Sequence, residues 1–391
     1  MDFDFDHVID RRASDSTKWV RYAGRDVLPL WVADMDFAAP PAVIEALQRR
    51  VAHGVFGYAE VLPAVSEAVV GHLADQYAWH IDPAWLVWLP GLVSGLNVAC
   101  RAVGAPGDGV FTATPVYPPF LSAPGNWQRR LVTAPLRLEP ALPGGAQRWR
   151  WDLAATAAAL DAGTRLMLLC HPHNPVGRAW DDEELQQVAA LAECHDLVVC
   201  SDEIHCGLLL EAGRRHRPYA TLGPEASRRS ITLMAPSKTF NIPGLGAAFA
   251  VIPDPVLRQR FHAATRGIVP HVNALGLAAM EAAYRHGGDW QAALLDYLRG
   301  NLALVEAAVA ALPGLSMAPV QATYLAWIDA APLTPRIGNA QRYFDAAGLG
   351  LSAGEDYGGK AYADFVRLNF GCPRATLAEA LARLARAVRS A

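Results

Sequence analysis

The chain has 391 residues, 52% hydrophobic and 18% charged, with a formal net charge of −4. That length and apolar content suit two or three domains with a large core and exclude global disorder. The mild acidity, with arginines scattered rather than clustered, gives no general attraction to nucleic acid or to an anionic membrane.

Residues 1 to 40 read as an arm rich in Asp and Arg. The start "MDFDFDHVIDRR" is acidic and lacks the apolar stretch of a secretory leader. A short apolar piece, "VLPLWVADMDF", precedes Pro40 and Pro41. Pro41 suits the first position of a helix over "PAVIEALQRRVAHG", with Val43, Leu47 and Val51 on one face and Gly54 closing it.

The middle of the chain alternates. Strand-length apolar runs "GVFTATP", "RLMLLCHP", "DLVVCSDE" and "SITLMAPSK" are separated by helical patterns such as "WDDEELQQVAALAECH". In that helix Asp181 or Asp182 caps the start, and Leu185, Val188, Ala189 and Ala192 form one face. Such alternation predicts an α/β fold, a mainly parallel sheet between helices. Beyond about residue 280 a long helical stretch (273 to 312, broken near Gly287 and Gly288) leads into strand-like "TYLAWIDA" and "DFVRLNF". An amphipathic tail helix, "ATLAEALARLARAVRSA", follows. The expected organisation is an arm over 1–40 that joins a small domain, a large domain over 41–280 and a small α+β domain over 281–391.

No run of 18 uninterrupted apolar residues predicts a membrane span. The six cysteines form no CxxC pair and are expected to be reduced, packed thiols of a cytoplasmic protein. The Cys and His of "CHPH" and "EIHC" lack zinc-site spacing, so no metal site is expected. No Walker or dinucleotide glycine pattern occurs.

In parallel sheets of this kind, ligands sit outside the carboxyl ends of the strands. Four predicted strand ends carry unusual chemistry there: Tyr117 between prolines, Asn174 in an Asn-Pro turn, Asp202, and Lys238. Lysine is scarce, with three among 34 basic residues. An arginine cannot give up its proton, whereas a neutral lysine amine is a nucleophile. Lys238 can condense with an aldehyde, Asp202 can pair with a protonated ring nitrogen, Tyr117 can stack on a flat ring, and Asn174 can donate to a phenolate. Together these are the partners of pyridoxal phosphate, whose ring is an electron sink.

"HNPVG", "SDEIH", "PSKTFNIPG" and "VRLNFG", in this order, resemble the fold-type I pyridoxal phosphate enzymes of the aminotransferase class I/II superfamily. At the front, "IDRRASDSTKW", "LPLWVADMDF" and "VFGYAE" resemble its C–S lyase branch, the MalY/PatB type cystathionine β-lyases. The resemblance implies the fold-type I architecture and pyridoxal 5'-phosphate as cofactor. It also implies a homodimer with shared active sites and small amino-acid substrates.

By that resemblance Lys238 would hold the cofactor covalently and Asp202 would pair with its ring nitrogen. Asn174 would contact the phenolic oxygen and the substrate carboxylate, and Tyr117 would stack on the ring. The backbone at Val93 and Ser94, at a helix start, would cradle the phosphate, with Ser237 adding a hydroxyl. Tyr58 would reach the phosphate of the other subunit. Arg367 would grip the substrate α-carboxylate, and Ala33 lies in the segment passing over the substrate. Lys238 or Tyr58 would protonate the leaving sulfur.

Three positions depart from the wider pattern. His205, taken as a cofactor contact, stands where many members have Tyr. Ala235 stands where many have a hydroxyl residue, and Gly246 where many have arginine. Phosphate binding is then expected to rest more on backbone amides and Tyr58. The expected activity is α,β-elimination of cystathionine or related S-substituted cysteines. An aminotransferase of a small L-amino acid and a non-catalytic regulator on the same fold are the alternatives.

Overall fold

The computed structural model describes residues 3–140 and 147–391. Its centre is a seven-stranded sheet. In chain order the strands are β1 (Leu86–Leu89), β2 (Gly109–Thr114), β3 (Arg130–Pro135), β4 (Thr164–Cys170), β5 (Val198–Asp202), β6 (Ser230–Met234) and β7 (Ala248–Val251). Their spatial order is β1-β7-β6-β5-β4-β2-β3. Every pairing is parallel except those of β7, which runs antiparallel to both neighbours. β2 and β6 are buried at every position, as befits parallel strands covered on both faces.

Helices cover both faces of the sheet. The first two of the chain's long helices are α1 (Pro41–Ala52), begun by the expected proline, and α2 (Pro63–Tyr77). α3 (Leu92–Ala102) packs so closely on β6 that a Cβ at Gly95 would meet the Leu233 side chain at 2.9 Å. α4 (Asp182–Cys194) opens with a capping box in which Asp181 and Glu184 each bond the other's backbone N–H. Such a cap contributes about 1 kcal/mol. Leu185, Val188 and Ala192 of its predicted face are buried, whereas Ala189 is only partly covered.

The later chain forms α5 (Ala274–His286) and α6 (Gly288–Ala310), broken where the two glycines fall. A second sheet of β8 (Ser316–Met317), β9 (Leu325–Asp329), β10 (Ser352–Ala353) and β11 (Phe365–Asn369) follows, and then the tail helix α7 (Arg374–Ser390). This sheet is antiparallel, in the order β8-β9-β11-β10.

The arm is built into this part of the molecule. Leu28 and Pro29 pair in parallel with Leu349 and Gly350. Phe5, Leu30, Met35 and Phe37 share one buried cluster with Leu298, Leu325 and Phe370. All six cysteines are free. Five are buried, but Cys194 is exposed because it ends α4 on the solvent side. The expectation of packed thiols is corrected there.

Candidate active site

The register of the sheet brings the strand ends together. Cys170 on β4 lies opposite Asp202 on β5, and Asp202 lies opposite Leu233 on β6. The residues that follow these ends, with Tyr117 after β2, line one cavity of about 490 Å³. Tyr117, Asn174, Asp202, His205, Ser237 and Lys238 all face it. So do Val93, Ser94, Ala33 and Arg367 from other parts of the chain. The Tyr117 N–H donates to the Asn174 carbonyl (3.1 Å), tying two strand ends to each other.

Tyr58 does not join them. It lies on the mostly exposed 53–62 stretch with a relative exposure of 109%, clear of this chain's own cavity.

The inner end of the cavity is buried and charged. The Asp202 carboxylate accepts the Ile204 N–H (3.1 Å). Burial pushes its pKa up to about 7, opposed by that bond and by the Lys238 charge. Lys238 is pushed down to about 8, again chiefly by burial, with Asp34 pulling upward and Arg367 downward. His205 is buried and held well below its usual range, first by burial and then by the Lys238 and Arg367 charges. Its Nδ1 has no partner.

Arg367 reaches in from β11. One terminal nitrogen donates to Asn174 Oδ1 (3.0 Å) and the other to the Trp31 carbonyl (2.6 Å), while Nε has no partner. Among the described residues, no ion pair within 4 Å holds Asp202, Lys238 or Arg367. The cations and the carboxylate of the cavity are thus unneutralised by the protein itself.

The arm forms the wall above Lys238. The Lys238 amine and the Tyr324 hydroxyl both donate to the Ala33 carbonyl, at 2.6 and 2.8 Å. Asn241 fixes the next turn: its amide donates to the carbonyls of Met35 (3.0 Å) and Phe37 (2.7 Å), and its oxygen accepts the Met35 N–H (2.9 Å). Asn369 Nδ2 donates to the carbonyls of Val32 and Asp34. Behind this wall Lys18 is fully buried and donates to Asp36 at 2.6 Å, with Arg11 bridging Asp34 and Asp36.

Sequence reasoning placed Asn241 only in a turn and did not single out Trp31, Tyr324, Asn369 or Asp36. The scarcity of lysine that marked Lys238 also applied to Lys18. The "CHPH" histidines hold backbone: His173 Nε2 bonds the Pro115 carbonyl (2.7 Å) and His171 Nε2 that of Arg217 (3.2 Å). Among the described residues no group of three or more His, Cys, Asp or Glu is placed to hold a metal ion.

The site fits pyridoxal phosphate. A buried carboxylate without a cation awaits a protonated ring nitrogen. A lysine amine opens into the same cavity. The start of α3 has no side-chain cap at Gly91, so the backbone N–H groups of its first turn are open to an anion. Gly246 is explained by its φ of +58° and by the Pro90 carbonyl, 3.3 Å from where a Cβ would stand. The chain passes tightly behind that anion loop in a conformation suited to glycine.

The class of protein follows. The model of the family "Aminotransferase class I and II" matches residues 25–384, and the chain belongs to that family, with the fold-type I architecture. Cystathionine beta-lyase PatB of Bacillus subtilis (strain 168) is 37% identical over 387 residues, covering 97% of this chain and 98% of its own. The crystal structure of OvoB matches with a TM-score of 0.95 at 48% identity over 100% of both chains. Cystalysin from Treponema denticola, whose crystal structure contains a pyridoxal 5'-phosphate cofactor, matches with a TM-score of 0.93 at 30% identity, again over 100% of both chains.

Proposed function

We propose that this protein is a pyridoxal 5'-phosphate-dependent carbon–sulfur β-lyase. It cleaves cystathionine or a related S-substituted L-cysteine, with one water, to pyruvate, ammonia and a thiol. The observation that carries this reading is the arm segment Trp31–Phe37 closing over Lys238, in a chain similar to PatB along nearly its whole length.

Bound pyridoxal phosphate supplies an electron sink that makes the substrate Cα–H acidic and lets the β-sulfur depart. The protein's residues do the rest. Lys238 would carry the cofactor, and its amine, lowered to about 8 chiefly by burial, would take the Cα proton more readily than an ordinary lysine. Asp202, buried among the cavity's lining residues, would supply the negative charge for the ring nitrogen and so keep the sink effective. Arg367, with an unpartnered Nε and a terminal nitrogen on Asn174, grips the α-carboxylate. That grip orients the Cα–H toward Lys238. Tyr117 would pack against the ring, and the first turn of α3 at Val93 and Ser94, with Ser237, would hold the phosphate. The proton for the leaving sulfur comes from Lys238 or from Tyr58.

We assign Tyr58 to the site of a second copy of the chain. It stands free on a stretch whose Val55, Phe56 and Leu62 are also exposed. A homodimer with shared sites explains that surface. We also take 1–40 as arm, 41–280 as large domain and 281–391 as small domain. We place the protein in the cytoplasm, where its six free cysteines stay reduced.

The test is pure holoprotein with L-cystathionine and no added keto acid. Release of pyruvate and thiol is expected. Turnover that strictly requires an added keto acid would make the protein an aminotransferase instead.

A further inference from the structure

The mechanism uses the inner end of the cavity and leaves three polar side chains at its mouth unused: Arg21, Gln341 and Asp356. Arg21 is exposed at the rim, with its guanidinium carbon 4.5 Å from the centre of the Trp31 ring. The arm's other basic residues are all paired: Arg11 with Asp34 and Asp36, Arg12 with Asp10, Lys18 with Asp36, and Arg25 with Asp345. Among the described residues Arg21 alone of the arm's cations has no carboxylate within 4 Å.

Trp31 ties this charge to the inner one. Its indole N–H donates to the Lys18 carbonyl (3.1 Å) and its own carbonyl accepts from Arg367 (2.6 Å). Two guanidinium groups, one buried and one at the rim, are therefore set by a single residue. Asp356 stands beside Tyr357, whose ring centre is 5.1 Å from the Arg367 guanidinium carbon. It too makes no ion pair among the described residues. The mouth thus presents one positive and one negative side chain to whatever extends outward from a substrate held on Arg367.

We propose that Arg21 and Asp356 form a subsite for the departing half of the substrate, and that this half carries its own carboxylate and ammonium. The inference rests on the lyase reading and narrows it. Within that reading, Arg21 and Asp356 are the residues that would favour an amino-acid-bearing thioether over a simple S-alkyl cysteine. Arg21 takes the distal carboxylate, its planar fork held in orientation by the Trp31 ring. Asp356 takes the distal ammonium. Gln341, which can donate and accept, fits either neighbour.

The experiment compares L-cystathionine, which has both distal charges, with S-propyl-L-cysteine, which has neither, as substrates of the holoenzyme. In Arg21→Gln the ratio of kcat/KM for cystathionine to that for S-propylcysteine is expected to fall about tenfold, through KM, as suits one charged contact. In Asp356→Asn it is expected to fall severalfold. Lys360→Gln removes a charge outside the cavity and is expected to leave the ratio unchanged. An unchanged ratio in Arg21→Gln, or an equal loss on both substrates, overturns the subsite.

If neither thioether yields pyruvate with the parent enzyme, the lyase reading fails on its own. The subsite is then judged by titrating the cofactor absorbance with each compound. Equal cystathionine affinity in the parent and in Arg21→Gln overturns it, and weakening confined to cystathionine upholds it.

Discussion

The amine of Lys238 donates to the carbonyl of Ala33 across 2.6 Å. The residue proposed to carry the chemistry therefore also positions the arm that closes the cavity. Two results are expected from this. Burial moves the lysine down to about 8, so capture of pyridoxal phosphate by the apoprotein, followed by its visible absorbance, should rise with pH around 8. An ordinary lysine would show that rise only above pH 10. Lys238→Ala should abolish turnover by at least about a thousandfold and speed amide exchange over residues 31–36. A variant with full activity would remove Lys238 from the mechanism.

Asp202 costs the cofactor-free protein stability, in a defined window. Its folded pKa is raised from 3.8 to about 7, so between those values the folded state keeps a proton that the unfolded chain has released. Stability therefore falls as pH rises through that window, and the full penalty applies above it. The apoprotein of Asp202→Asn should be more stable than the parent above pH 7, by on the order of 2–4 kcal/mol, with the gap closing toward pH 4. It should also bind pyridoxal phosphate more weakly. Denaturant melts at pH 4.5 and 7.5 decide the point. A gap that widened at the lower pH would contradict it.

Asn241 sits at a φ of +53° and makes three hydrogen bonds to the arm backbone. Asn241→Asp keeps the acceptor for the Met35 N–H but turns both donors into an acceptor facing two carbonyls. A loss of about 2–4 kcal/mol in global stability is expected, larger than for Asn241→Gly, which removes all three contacts but places no charge there. Raised KM with a smaller change in kcat should accompany it. Equal melting of the two variants would refute the repulsion.

On the proposal that Tyr58 serves the site of a second copy of the chain, two differently damaged chains should repair each other. Lys238→Ala and Tyr58→Ala proteins, each weakly active or inactive alone, should regain up to about a quarter of parental activity when unfolded and refolded together in equal amounts. Random pairing makes half of the dimers mixed, and each of these has one intact site. Mixtures no more active than the average of the two parents would show that the sites are not shared.

Much of the inner site was legible before the fold was known, because parallel sheets put ligand chemistry at strand ends. Tyr117, Asn174, Asp202 and Lys238 each follow an apolar run that can be counted. The roles of Asn241, Tyr324 and Asn369 were not legible. Each holds main-chain carbonyls of the arm from 204 to 337 residues away, and no periodicity encodes a contact with backbone at that distance. Trp31 and Asp36 lie inside "WVADMDF", where the sequence marked a segment without saying which side chains fix it. β7 escaped notice for another reason. Its four residues, "AFAV", are short and alanine-rich, and only pairing with β1 and β6 makes them a strand.

The stitching of the arm has a temporal consequence. Asn369 holds the carbonyls of Val32 and Asp34, and Leu28 pairs with Leu349. A ribosome therefore releases the arm long before its anchors exist, and the nascent large sheet can form while the cavity still lacks its cover. Closing a loop of more than 300 residues is the kind of late, non-local step that slows folding. A chain stopped short of residue 369 would have every strand end of the inner site but would lack the side chain that holds the carbonyls of Val32 and Asp34.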